Sequence, residues 1–267
     1  MYRRAIAVLA RHFDLEPDER AVYEYRRIID PKAYAASLLR ETNTELLLVD
    51  DGYPPPEEGT TAEELGELAR CRALPVLRLE SRGERAAAET ATARKRGYAA
   101  LKTIAAYRGG LNRVSDHVLA ALEANEASGD PLPVQVHTGF GDSDLHLWRS
   151  DPSYLKPLLE RFRDTSFVLL HCYPFVREAG WLAHVYGNVY FDLSLTIPHV
   201  SRPAEALREA LELAPISKLL YASDAARTPE LFLLAARWWR DALAEVVANE
   251  YDARLVLRDN ALKLYRL

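Results

Sequence analysis

The sequence predicts a parallel α/β barrel one strand short of closure. Three observations carry that prediction: seven short apolar runs, longer amphipathic segments between them, and polar residues at the carboxyl ends of several runs. The runs cover 45–50, 75–80, 99–104, 133–138, 166–171, 188–193 and 218–223, and the helix-like segments cover 62–72, 84–96, 114–125, 152–162, 176–186, 203–213 and 229–247. Strand and helix in strict alternation are the pattern of a parallel sheet with covering helices. A closed barrel of the common kind takes eight strands, so one stave is missing. A doubly wound open sheet would accept seven. However, His137-Thr138, His171 and Ser223-Asp224 fall at the ends of three different runs, and in a barrel such ends converge on one mouth.

Ahead of the first run, residues 1–42 read as helices. Ile6, Leu9 and Ala10, then Val22, Tyr25 and Ile28, then Ala35, Leu38 and Leu39 recur at helical spacing, and Asp30-Pro31 is a helix start. No repeat, linker or low-complexity tract divides the chain, so residues 1–267 are expected to form a single domain whose helical amino-terminal part is 1–42.

Composition narrows the function classes. In 267 residues, 49% hydrophobic and 27% charged side chains exclude a disordered or collagen-like chain. A formal charge of −5 offers no electrostatic footprint for nucleic acid or anionic lipid. No apolar stretch approaches the roughly 20 residues that span a bilayer, and the start resembles no signal peptide, so the expected location is the cytoplasm. Cys71 and Cys172 form no disulfide framework or zinc-cluster spacing and are expected as free thiols.

Imidazoles and carboxylates at neighbouring strand ends are the donors that a water-activating metal needs. His137, His171 and Asp224 have the right types at three separate ends. Any one alone reads more readily as a hydrogen-bonded structural residue; the three together favour a site. Asp224 could also cap the next helix, but Pro229 is the better opener. Lys102 interrupts an apolar strand, and three readings stay open: a lysine carbamate bridging two metals, a cation for a substrate carboxylate, or an ion pair with Glu80 or Asp50. Arg108 follows in a glycine-rich loop. Arg78 and Glu80 share the lumenal face by period two, and an ion pair is the preferred reading for Arg78. The loop 139–146 reads equally as a substrate-facing lid and as a solvated loop. Alternation turns Cys172 away from His171, against a thiolate nucleophile, and there is no phosphate-binding loop or G-x-S-x-G elbow.

The strings Leu101-Lys102-Thr103 to Arg108-Gly109-Gly110-Leu111, Val136-His137-Thr138-Gly139-Phe140-Gly141-Asp142, Leu170-His171-Cys172-Tyr173-Pro174-Phe175 and Tyr221-Ala222-Ser223-Asp224 resemble the amidohydrolase-related group of the metal-dependent hydrolase superfamily. The resemblance is greatest to members that are sometimes fused to a glutamine-synthetase domain. The end, Asp259-Asn260-Ala261-Leu262-Lys263-Leu264-Tyr265, resembles that group's closing helix. The resemblance implies a distorted (β/α)8 TIM barrel whose mouth binds zinc, or manganese as the alternative. By that pattern His137 is a ligand from the fifth strand, and His171 a ligand or electrophilic partner from the sixth. Asp224 is a ligand and general base from the eighth, and Lys102 occupies the fourth-strand position that some members carbamylate.

One departure is large: the family's first strand carries a His-x-His pair, and none occurs here. The sequence reads as starting after that strand, which agrees with the count of seven. Amino-terminal shortening is the preferred explanation and a variant lacking half its metal site the other, with metal affinity lowered in either case. The exposed strand edges would be covered by the amino-terminal helices or, in a homo-oligomer, by a second subunit, and the sequence leaves both open. The implied activity is metal-dependent hydrolysis of an amide or related C–N bond in a small substrate, with Lys102 and Arg108 receiving a carboxylate. The alternatives are non-oxidative decarboxylation at the same site and a non-catalytic homologue without a working metal.

Overall fold

The computed structural model describes residues 1–55 and 58–267. Seven parallel strands pair in sequential order: β1 (Leu46–Asp50), β2 (Arg72–Arg78), β3 (Ala100–Thr103), β4 (Val134–His137), β5 (Phe167–Leu170), β6 (Val189–Asp192) and β7 (Leu219–Leu220). The sheet curls into an incomplete distorted TIM barrel with helices around it, as the alternation predicts. Two strands differ from the sequence reading by more than one residue at an end. β2 starts at Arg72 because the preceding helix, Ala62–Ala69, stops in a left-handed cap at Arg70, which frees the next residues to pair with β1. β7 keeps only two residues, because the Tyr221 amide donates to the Val256 carbonyl (3.0 Å) instead of continuing the ladder.

Register decides what faces inward. Arg78 pairs with Lys102, Lys102 with Gln135, Gln135 with Val168 and Val168 with Tyr190, so these five residues share one face across five strands. On the same face Val76, Ala100, Val168, Leu170 and Leu220 form a lumenal apolar cluster, into which the last helix (Asn260–Tyr265) inserts Leu264 and Tyr265. The opposite faces of the strands, among them Leu77, Leu101, Val136, Leu169 and Phe191, pack against the outer helices in the largest core.

The amino-terminal region is helical at Tyr2–His12, Glu19–Ile28 and Pro31–Glu41. Asp30 caps the third helix by accepting from the Ala33 amide (2.8 Å), with Pro31 at its first turn. Ile6, Leu9, Val22, Tyr34 and Leu38 pack on Leu233 in a separate small core. Both cysteines are free, as expected. Among the described residues no helix is long and apolar enough to cross a membrane.

Among the described residues no strand lies beyond β1 or β7. Between these two edges lies a cavity of about 1370 Å³ that reaches from Leu46 and Tyr265 to Lys102 and Asp224. Asn260 closes the β7 side: its Nδ2 donates to the Ile216 and Leu219 carbonyls, both at 2.9 Å. Asn260→Ala strands both buried acceptors and is expected to lower the unfolding free energy by about 1–3 kcal/mol, read as a shift of the urea midpoint at unchanged slope.

Candidate active site

The mouth is built where β4, β5, β6 and β7 end. His137 is the last residue of β4 and is 6% exposed. The sequence reading put His171 at the end of a strand and Asp224 just after one, but β5 stops at Leu170 and β7 at Leu220, so both lie in the following turns. Each adopts a left-handed backbone there, with φ of 69° at His171 and 50° at Asp224. Non-glycine residues persist in that region only where their surroundings hold them, and such positions cluster at functional sites. The helix after β7 is capped at Pro229, so Asp224 is not its cap.

The structure sets His137 beside His171 and Asp224 beside His171, but does not gather the three around one point. The two imidazole rings stand 4.5 Å apart, centroid to centroid, and Asp224 Oδ2 lies 3.8 Å from His171 Nδ1. His137 Nε2 is buried with no hydrogen-bond partner. The Tyr107 ring packs 4.7 Å from His137, and the Tyr107 hydroxyl accepts from the Asp142 amide at 3.0 Å. The 139–146 loop is therefore fastened at its start. A Cβ on Gly141 would collide with the Tyr107 hydroxyl and come within 3.1 Å of His137 Nε2, so only glycine lets the loop pass this close.

Lys102 is buried beside the mouth, with Nζ 3.7 Å from Asp50 Oδ2. Of the two acids weighed for it, Asp50 is the one in reach. Arg78 completes that cluster: its Nε donates to both Asp50 oxygens at 3.0 Å. Burial would raise the Asp50 carboxyl, but the Arg78 hydrogen bonds and the Lys102 charge outweigh it and hold the group below its ordinary range. Two cations thus share one carboxylate. Glu80, also lumenal by sequence, turns to the end of β3, where Oε1 accepts from Thr103 Oγ1 and the Ile104 amide while Oε2 stays buried and unpartnered. Arg108 is exposed and bonds the adjacent Tyr107 carbonyl (3.4 Å), outside the cavity that Lys102 lines.

Sequence reasoning overlooked Asp192 and Ser194. Asp192 ends β6 as His137 ends β4, and that shared position was the available signal. Its Oδ1 accepts from the His171 amide (2.8 Å), the Ser194 amide (2.9 Å) and the Ser194 hydroxyl (2.6 Å). Burial pushes its carboxyl up to about 6, against the pull of those three donors. Cys172 is buried in the outer core with its thiol pushed far up by burial, which leaves no thiolate for catalysis.

Burial lowers both imidazoles well below the ordinary value of 6.5. At His137 the His171, Lys102 and Arg78 charges reinforce burial; at His171 Lys102 does. Both rings are neutral at pH 7, the form that presents a lone pair. For Asp224 burial of its surroundings raises the carboxyl and the Lys102 charge opposes.

A curled parallel barrel with two imidazoles and an acid at its mouth points to the metal-dependent hydrolases. The chain belongs to the amidohydrolase family, whose profile matches residues 53–267. Over 134 residues it is 47% identical to protein fluG of Emericella nidulans; the match takes in 49% of this chain and 16% of that protein, so the chain spans a small part of the curated relative it matches. Among solved structures, a protein of Lactobacillus casei ATCC 334 designated a metal-dependent hydrolase superposes with a TM-score of 0.84 at 27% identity, covering 98% of this chain and 83% of that one. A Campylobacter jejuni dihydroorotase gives 0.61 at 16% identity over 88% and 79% of the two chains. An Acinetobacter baumannii protein designated a 2-pyrone-4,6-dicarboxylic acid hydrolase, with citric acid bound, gives 0.58 at 16% over 88% and 89%; these last two show the fold alone.

The family implies a divalent ion. The donor chemistry fits one: neutral imidazoles, an orphaned buried Nε2 and a nearby carboxylate. Among the described residues, however, no three His, Cys, Asp or Glu side chains are assembled around a common point.

Stability should register the neutral imidazoles. The unfolded chain binds protons at His137 and His171 from 6.5 downward while the folded chain does not, so they make stability fall as pH drops through that value. Asp192 has the opposite sign, with stability lost as pH rises through about 6. Removing one imidazole isolates the first contribution: His137→Gln should lose less unfolding free energy than the parent between about pH 8 and about pH 6, measured by urea titration at each pH.

Proposed function

We propose that the chain hydrolyses an amide or related C–N bond of a small, carboxylate-bearing substrate. The observation that carries this reading is the chain of contacts from His137 to His171 to Asp224, with Asp224 lining a cavity whose wall also includes Lys102, the lysine of a two-cation, one-carboxylate cluster. Lys102 receives the substrate carboxylate by exchanging part of its attraction to Asp50, with Arg108 farther out in the loop after β3. The carbonyl to be cleaved then lies over the imidazoles. Asp224, whose carboxyl burial raises above its ordinary value, takes a proton from water as the oxygen bonds to the carbonyl carbon. It returns that proton to the nitrogen as the C–N bond breaks, leaving an acid and an amine. A divalent ion, zinc or manganese, would supply Lewis acidity at this place, and His137, His171 and Asp224, which are not gathered about one point here, would have to close around it to hold it.

The test supplies purified protein with zinc or manganese and measures amine release from neutral and carboxylate-bearing amides, γ-glutamyl amides included, and carbon dioxide release from small carboxylic acids. Amine release supports the reading; carbon dioxide without amine replaces it with decarboxylation. Neither product and no retained ion by elemental analysis would make the chain a non-catalytic homologue. Asp224→Asn is expected to lower kcat by about 10²- to 10⁴-fold. Lys102→Met should raise KM for a carboxylate-bearing amide much more than for its neutral counterpart.

A further inference from the structure

We infer that Asp192 and Ser194 are positioning residues that lock the neutral His171 ring in one tautomer, with the proton on Nδ1 and the lone pair on Nε2. A count of donors leads there. Asp192 Oδ1 takes three hydrogen bonds, from the His171 amide, the Ser194 amide and the Ser194 hydroxyl, and at 2.6 Å the hydroxyl's single hydrogen is committed to it. Ser194 Oγ also lies 2.8 Å from His171 Nδ1. With its hydrogen spent, Oγ can only accept there, so Nδ1 must donate. Asp224 does not compete, since 3.8 Å is beyond hydrogen-bond reach of the same nitrogen.

The same network sets the backbone of His171. Its amide is held by Asp192 and its carbonyl accepts from Thr196 Oγ1 at 2.6 Å, one clamp on each side of the left-handed residue. Two residues apart at the end of β6, Asp192 and Ser194 fix where the ring stands and which nitrogen is basic. The proposal deepens the functional reading above, and only its kinetic part rests on that reading.

The experiment is long-range proton–nitrogen NMR of the ¹⁵N-histidine-labelled protein, with His171 assigned by its loss in His171→Gln. A protonated Nδ1 and an unprotonated Nε2 support the inference; the opposite tautomer overturns it, whatever the activity. Ser194→Ala should release the lock, giving Nε2-protonated or mixed signals, and Ser194→Thr should restore the parent pattern. An unchanged Nδ1 proton in Ser194→Ala, with native circular dichroism, also overturns it. With an active substrate in hand, Ser194→Ala is expected to lower kcat about 10- to 100-fold with little change in KM. If the tautomer stands and no C–N cleavage is found, only the functional reading fails.

Discussion

The parallel ladder is the constraint on which the rest of the molecule depends. Seven strands running the same way place all their carboxyl ends at one rim, and a register without slips keeps Arg78, Lys102 and Gln135 on one level. A one-residue shift at β3 would carry Lys102 from the lumen into the outer core among Leu77 and Val136. The cost of an unpaired buried ammonium makes that shift prohibitive. The cation cluster is thus both a product of the register and a reason the register holds.

Much of this was legible before any coordinates. Seven apolar runs became seven strands because a strand buried on both faces must be apolar throughout, and the intervening helices announce themselves by their period. The polar strand ends pointed to the mouth for the same reason: a polar residue interrupting such a run needs a destination. Legibility failed where the chain leaves regular structure. His171 and Asp224 sit in left-handed turns that neither alternation nor helical period encodes. Asp192 escaped notice because its partners, a backbone amide and a serine two residues on, have no signature in spacing. Arg108 reads as a mouth cation from its place after β3, yet its side chain lies in solvent, since a loop's course is set by contacts the sequence does not display.

The polar groups at the rim divide into two kinds. Asp50, Asp192 and Ser194 are tied by several bonds each and do little except orient their neighbours. His137 Nε2 and Glu80 Oε2 are buried and left open. Buried groups without partners are costly, and each native exception asks for an explanation. At His137 the explanation is in the surroundings: Tyr107, Gly141 and His171 crowd the ring without bonding its free nitrogen. Structural satisfaction has been spent on the supports, leaving the tips reactive.

The unpaired margin of β1 carries a consequence for behaviour in solution. Leu46, Leu47, Leu48 and Val49 are four consecutive aliphatic residues, half-buried and bonded to a neighbour on one side only. Such a stretch is a template for cross-chain pairing. Two acids flank it, Glu45 tied to Arg258 and Asp50 to Arg78, and they act as its gatekeepers. Colloidal protection at this margin therefore falls to a pair of carboxylates, and acidification strong enough to protonate them would remove the charge that guards a half-hidden core strand.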